Sequence, residues 1–408
     1  MRLLASVLKG AFKRGELTIF DHDGSKYVFG DGEDGPKVAI RFQDSRVARD
    51  ILFNPEAGAA EAYMDGRLTL EPGSTIHELI RLHSINREGF DQSWPMRLVY
   101  GFGRLTQNVA QANSVRRASR NAREHYDHPP EFYAMWLDKE MNYSCAYFPR
   151  KGMTLEEAQL AKMRHIAAKL NIEPGMKVLE IGSGWGALAV YLAEATGAEV
   201  TGISPVPHQI ERARQRAADH GLSDRVQFLQ TDYRELDGKF DRVVSVGMME
   251  HVGVPYFRDY FRVIGERLAP GGYALVHAIG HSEPPHPSSP FISKHIFPGG
   301  YIPSLSEVFA ATQKERMWVA DCEVLRLHYG WTVKCWRERF EARRDEVVEM
   351  MGERFTRMWE VYLNAVEQTF YTGGSMVFQI LVSKTIDAVA RTRDFITERE
   401  HELLAGNH

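Results

Sequence analysis

The stretch SVGMMEHVG, residues 245–253, ends an apolar run in two methionines and then sets a carboxylate, Glu250, beside an imidazole, His251. An acid at the end of a buried strand can cap the helix that follows, or it can face a site and handle a proton. A second such stretch is VLEIGSGWG at 178–186, where Gly182, Gly184 and Gly186 leave an apolar run and open a helical pattern, with Glu180 two residues before the first glycine. Glycines let a strand turn sharply into a helix and let backbone come close to a ligand. A dinucleotide-binding loop would show GxGxxG and an acid at the end of the second strand. Here the spacing is GxGxG and the second strand ends in Gly202, Ile203 and Ser204, which points away from a nicotinamide dehydrogenase. Asp232, in LQTDYREL, closes the third strand pattern, where it either binds a ligand or forms a turn.

The elements that must carry these residues are legible between about 160 and 280. Apolar runs at KVLEIGSG, EVTGIS, RVQFLQTD, FDRVVSVG and GGYALVHAIG alternate with helical segments, the signature of a parallel, doubly wound sheet in an α/β, Rossmann-like domain. Such sheets bind ligands beyond the carboxyl ends of their strands, which is where Glu180, Asp232 and Glu250 fall. Before this region, ELTIF, KYVFG and KVAIRF alternate with glycine-rich turns and predict hairpin strands of a smaller, mixed α+β domain over residues 1–103. Residues 104–123 hold five arginines and no acid and predict a basic linker, either a solvated helix or a strip facing anionic lipid. The catalytic domain is expected over 124–390 and a tail over 391–408. The last 70 residues read as helical and charged.

A chain of 408 residues exceeds one ordinary domain, and 44% hydrophobic with 25% charged residues is the composition of a folded protein. A net charge of -4 excludes a surface built throughout for nucleic acid. Three scattered cysteines, Cys145, Cys322 and Cys335, form neither a disulfide framework nor a zinc motif, and predict a reducing cytoplasm. No window reaches the ~20 apolar residues a spanning helix needs, so any membrane contact is expected at its surface. At the start, Leu3, Leu4, Val7, Leu8 and Phe12 share one helical face, predicting a helix packed on its own domain ahead of a membrane anchor.

The GxGxG loop with its preceding acid resembles the first motif of S-adenosylmethionine-dependent methyltransferases. Five stretches together, NYSCAYF (142–148), VLEIGSGWG, SVGMMEHVG, HAIG (277–280) and HIFPGGYIPS (295–304), resemble the cyclopropane-fatty-acid synthase family, including its mycolic acid branch; LHYGWTVKCW (327–336) and RMWEVYLNAVEQTF (357–370) match in type. The resemblance covers roughly residues 124–385. It implies a class I methyltransferase that transfers a methyl group from S-adenosyl-L-methionine to a cis double bond of an unsaturated phospholipid acyl chain, closing a cyclopropane ring. It implies a bound bicarbonate as the base, held by Glu250, His277, Tyr329, Cys145 and Ile279. For the cofactor it assigns Tyr143 and Ser144 to the carboxylate end, Glu180 to the cationic amino end, and Gly182, Gly184 and Gly186 to close backbone contact. Ser204 and Gln209 fall to the ribose, and Asp232 and Tyr233 to the adenine. The chemistry needs no covalent enzyme intermediate, so Cys145 is expected to line the anion and His251 to orient its loop. Tyr143, Tyr147, Phe148, Tyr233, Phe297, Tyr301, Tyr329 and Trp331 supply aromatic faces for a carbocation.

The resemblance further implies peripheral association with the inner face of the membrane and a possible homodimer through the amino-terminal domain. Two departures stand out: HYDHPPEFY places Pro129 and Pro130 at the entrance of the catalytic segment, and Val366 replaces a thiol common in relatives. They leave acyl preference open, and a methyl-branched or methylene product, or a soluble amine acceptor, stays as the alternative.

Overall fold

The computed structural model describes residues 1–91 and 128–406, and these fall into two compact units. The predicted linker at 104–123 lies outside the described residues. Among the described residues, the first unit draws together 1–91, 286–298 and 333–374, and the second 128–285, 299–332 and 375–406. The single continuous segment 124–390 expected from sequence does not anticipate that two of its pieces pack with the amino-terminal elements.

In the first unit a four-stranded sheet has the order β2 (Lys26–Phe29), β1 (Glu16–Phe20), β3 (Lys37–Phe42), β4 (Leu68–Leu70). Strands β1 and β2 form the predicted hairpin, with Leu17 opposite Phe29. Strand β3 instead pairs parallel to β1 on its other side, and β4 closes that edge. The first helix, Arg2–Leu8, buries Leu4 and Leu8, whereas Leu3 points outward at 63% exposure. The long helix Glu353–Thr372 packs on helices Pro55–Met64 and Ile76–Ile85. Buried polar bonds fix its rotation: the Tyr63 hydroxyl donates to Glu360 Oε2 at 2.8 Å, and His77 Nδ1 lies 2.8 Å from Asn364 Oδ1.

The second unit is built on a seven-stranded sheet in the order β10 (Trp318–Val324), β11 (Ser375–Ser383), β9 (Leu268–His281), β8 (Phe240–Val246), β5 (Lys177–Ile181), β6 (Glu199–Ser204), β7 (Val226–Gln230). All strands run parallel except β11, which inserts antiparallel between β9 and β10. Five of these six parallel strands, β5 to β9, are those the sequence predicts. Strands β10 and β11 are not among them, and every residue of β11 is buried inside the stretch expected to be helical.

Apolar side chains cover both faces of this sheet. Ile166, Leu170, Leu192 and Ile210 line one side from the helices, and Phe261, Ile264 and Val308 line the other. Helix Leu155–Leu170 starts at a capping box in which Thr154 Oγ1 accepts from the Glu157 amide and the Glu157 carboxylate accepts from the Thr154 amide. The prolines of HPPE open the short helix Pro130–Ala134, with Pro130 at its first turn, where a missing N–H costs nothing. That helix seats Tyr133 with its ring centre 5.1 Å from Trp185 and 5.9 Å from Tyr143.

Gly186 has a different task from its neighbours in the loop. Its φ is +83°, and a Cβ there would meet Ala213 Cβ and Phe228 Cζ, each at 2.8 Å. Gly186→Ala combines a left-handed backbone penalty with overpacking, so it is expected to lower unfolding stability by roughly 2–4 kcal/mol, checked by urea denaturation.

Candidate functional site

A pocket opens beyond the carboxyl ends of β5, β6 and β8 in the second unit. Its wall includes Tyr143, Ser144, Glu180, Gly182, Gly184, Ser204, Gln209, Asp232 and Tyr233, together with Lys162, Trp185, Arg234, Met248 and His251. Gly186 is not part of the wall, and the packing described above accounts for it. Gly182 and Gly184 hold φ of +84° and +50°, and a Cβ on Gly184 would point into open space, so the loop exposes backbone to the pocket.

The loop NYSCAYF is held from below. The Asn142 amide donates to Asp138 Oδ1 at 2.7 Å and its side-chain nitrogen to Asp138 Oδ2 at 2.9 Å, while Gln159 Nε2 donates to the carbonyls of Asn142 and Ser144. Glu180 ends β5 fully buried, and burial pushes its carboxyl up to about 8, opposed by the nearby Lys162 ammonium. The Ser204 hydroxyl donates to Gln209 Oε1 at 2.9 Å and accepts from the Val206 amide, which fixes both residues at the start of helix Pro207–Asp219. Both oxygens of Asp232 are taken by the Arg234 guanidinium, at 2.7 and 2.8 Å, so Asp232 reaches the pocket as half of an ion pair.

This wall fits S-adenosylmethionine. Glu180 Oε2, Ser183 Oγ and the Tyr233 hydroxyl are buried with no partner within the described chain, the condition of polar groups that wait for a ligand. His251 also lines the pocket, part-buried, and burial holds its ring neutral down to about 4.

Glu250 sits in a single 3₁₀ turn, Met249–His251, beyond β8. Its Oε1 accepts from the Ile279 amide at 2.7 Å, so that N–H is spent on Glu250 and is not free for an anion, contrary to the cradle expected from sequence. Its Oε2 is buried with no partner within the described chain, and burial pushes the carboxyl up to about 7. His277 on β9 is buried, and burial together with the charge of Lys162 brings it down to about 3. Gln379 Nε2 donates to its Nδ1 at 3.1 Å, so the proton of this neutral ring is assigned to Nε2.

Burial pushes the Cys145 thiol up, which keeps it protonated and unsuited to nucleophilic attack. Thr332 Oγ1 accepts from the Ala146 amide at 3.0 Å, tying the loop to helix His328–Ala342, which carries the buried Tyr329. None of these bonds joins Glu250 directly to His277 or Tyr329.

Of the aromatic residues, Tyr143 and Tyr233 line the pocket. Tyr147 stacks between His165, at 4.4 Å, and His328, at 5.1 Å, and Trp331 lies edge-on to Phe148 at 6.0 Å. The Tyr301 hydroxyl is bound to Glu307, and Phe297 packs on Tyr362. Sequence missed Lys162, Arg234, Thr332 and Gln379, whose types carry no signal until the fold brings partners to them.

The sheet order, its lone antiparallel strand, the glycine loop and the pocket define a class I S-adenosylmethionine-dependent methyltransferase. Residues 113–380 match the family model for mycolic acid cyclopropane synthetase, and residues 3–93 match that of a domain of unknown function. The chain is 33% identical to the cyclopropane-fatty-acyl-phospholipid synthase of Escherichia coli K12, over 85% of this chain and 88% of that one. It is 34% identical to a tuberculostearic acid methyltransferase of Mycobacterium tuberculosis, over 84% and 82% of the two chains. A solved mycolic acid cyclopropane synthase complexed with SAH and CTAB superposes with a TM-score of 0.62 at 30% identity, covering 65% of this chain and 97% of that one. The chain belongs to the mycolic acid cyclopropane synthetase family.

Proposed function

We propose that the protein transfers a methylene group from S-adenosylmethionine to the cis double bond of an unsaturated phospholipid acyl chain, forming a cyclopropane fatty acid, with bicarbonate as the base. The observation that carries this reading is the state of Glu250, a buried carboxyl with one oxygen on the Ile279 amide and the other unpartnered in the described chain. Such an oxygen needs a donor, and the hydroxyl of bicarbonate is one. Similarity along 85% of the chain to a phospholipid-named synthase supports the acceptor class.

When bound, S-adenosylmethionine supplies an electrophilic methyl on sulfur, and bicarbonate supplies a base for the proton that methyl must lose before the ring closes. The chain's own residues do the rest. Gly182 and Gly184 bring backbone against the cofactor, Glu180 receives its ammonium, and Tyr143 with Ser144 receives its carboxylate. The Ser204–Gln209 pair falls beside the ribose, and Tyr233 with the Asp232–Arg234 pair beside the adenine. His277, neutral with its proton on Nε2, offers a donor to an anion and no charge that would repel a carbocation. Glu250 accepts one hydrogen bond and so orients the base. Peripheral association with a membrane and pairing of two chains belong to this proposal, and no helix among the described residues is long and apolar enough to cross a bilayer.

Expression in cells rich in unsaturated phospholipid, followed by gas chromatography and mass spectrometry of the acyl chains, tests it. A gain of one CH2 as a ring supports it. A methyl-branched chain, the product class suggested by the tuberculostearic acid relative, replaces it with the sister reaction, and unchanged acyl chains overturn it.

A second test addresses Glu180. With its carboxyl up at about 8, it is protonated in the free protein at pH 7, and an ammonium arriving beside it favours the ionised form. S-adenosylhomocysteine binding at pH 7 is therefore expected to release close to one proton, read by calorimetry in buffers of different ionisation enthalpy. Glu180→Gln should release none.

A further inference from the structure

Helix Leu155–Leu170 carries Lys162 on a face that covers the floor of the pocket. Its side chain is buried at 2% exposure, and its Nζ donates to Asn142 Oδ1 and Ser144 Oγ, both at 3.0 Å. The first bond is dictated by Asp138, which takes the Asn142 amide hydrogens and leaves Oδ1 facing the lysine. The second has a consequence for Ser144. A hydroxyl has one hydrogen and two lone pairs, so a hydroxyl that accepts from Nζ must aim its own hydrogen elsewhere. Ser144 lines the pocket.

The charge pattern points the same way. Burying an ammonium is costly, and an uncharged side chain could tie loop to helix at lower cost. The groups facing Lys162 are Asp138, Cys145 and Glu180, and burial pulls the lysine down to about 8 against their pull. One end of the pocket thus holds a cation on the Ser144 side and an acid on the Glu180 side, the complement of a zwitterionic amino acid.

We propose that Lys162 is a positioning residue for the cofactor: it turns the Ser144 hydroxyl into the pocket as a donor for the carboxylate of S-adenosylmethionine and supplies the matching charge behind it. The proposal rests on the seating of that carboxylate at Tyr143 and Ser144 proposed above.

Two ligands that differ only in the carboxylate separate this role from a structural one. Binding of S-adenosylmethionine and of decarboxylated S-adenosylmethionine to the full-length protein is measured by calorimetry, without acceptor. In Lys162→Met, affinity for S-adenosylmethionine is expected to fall by about tenfold or more, while affinity for the decarboxylated analogue stays within about twofold. Equal losses for both ligands, or no loss, overturn the proposal. If circular dichroism shows Lys162→Met unfolded, Lys162→Gln carries the same comparison, with a smaller selective loss expected and an equal loss again overturning it. Ser144→Ala distinguishes the two layers. A selective loss there with none at Lys162 removes the lysine's part and leaves the seating, and no selective loss at either position removes both.

Discussion

Glu250→Gln is expected to cut ring formation by roughly 10²–10⁴-fold. The glutamine carbonyl can still accept from the Ile279 amide, so the local fold survives. Its other arm is an NH2, which donates where the carboxylate oxygen would accept from the base. Glu250 does not line the cofactor pocket, so S-adenosylhomocysteine affinity should hold within about twofold. Activity equal to wild type would remove Glu250 from the reaction.

The same variant has a signature in stability. Burial raises the Glu250 carboxyl to about 7, above its ordinary 4.5, so the folded protein holds a proton the unfolded chain has lost. The stability this confers is complete below pH 4.5 and is lost as pH rises through 7. Wild type should weaken relative to Glu250→Gln across that window, by up to about 3 kcal/mol from the size of the shift. Urea midpoints of both proteins at pH 5 and pH 8 check it, and a constant difference would contradict the burial of an unshielded carboxyl.

Glu323→Ala is expected to lower unfolding stability by about 3–5 kcal/mol, the range for breaking a buried ion pair from one side. Glu323 lies 2.5 Å from the Nζ of Lys169, whose side chain is 0% exposed, and 2.7 Å from His165 Nε2; the other ring nitrogen of His165 meets Glu400 at 2.7 Å. Removing the acid leaves Lys169 with Asp321 at 3.7 Å. The cluster fastens helix Asp394–Ala405 to the sheet, and its other side is the His165–Tyr147 stack under the SCAY loop.

The two titrating partners bound its effect in pH. His165 is raised above 6.5 by its two carboxylates, although burial opposes them, so its contribution is full below pH 6.5 and is lost at higher pH. The bonds to His165 and the charge of Lys169 hold the Glu323 carboxyl well below the usual range, so its contribution is full above pH 4.5 and is lost only in stronger acid. The penalty of Glu323→Ala should therefore be largest between pH 4.5 and 6.5. A penalty independent of pH would show that packing, not charge, is lost.

Strands β5 to β9 were legible because each holds a short apolar run bounded by glycine or a turn, and the residues just past them could be assigned to a ligand by position alone. Strand β11 was not. SMVFQILVS is apolar on both faces, follows a long amphipathic helix and has no period that separates a buried strand from a buried helix. Strand β10 is an edge with Trp318 and Val319 exposed, so its pattern is that of a surface. Gly182 and Gly186 look alike in sequence, and only the Ala213 and Phe228 atoms above Gly186 assign it to packing. Lys162 reads as a solvated helical lysine until Asn142 and Ser144 arrive from twenty and eighteen residues away.

The place of β11 has a consequence for how the protein is made. Among the described residues, strand β10 bonds to the sheet only through β11, so a chain still on the ribosome presents β9 as a bare edge until Ser383 has emerged. About a hundred residues separate the ends of β9 and β11, a delay of roughly 5–20 s at ordinary elongation rates. During that interval the nascent sheet is open to pairing with other chains. A message truncated between the end of β9 and codon 375 is therefore expected to encode an aggregation-prone product, and chaperone demand should peak late in translation.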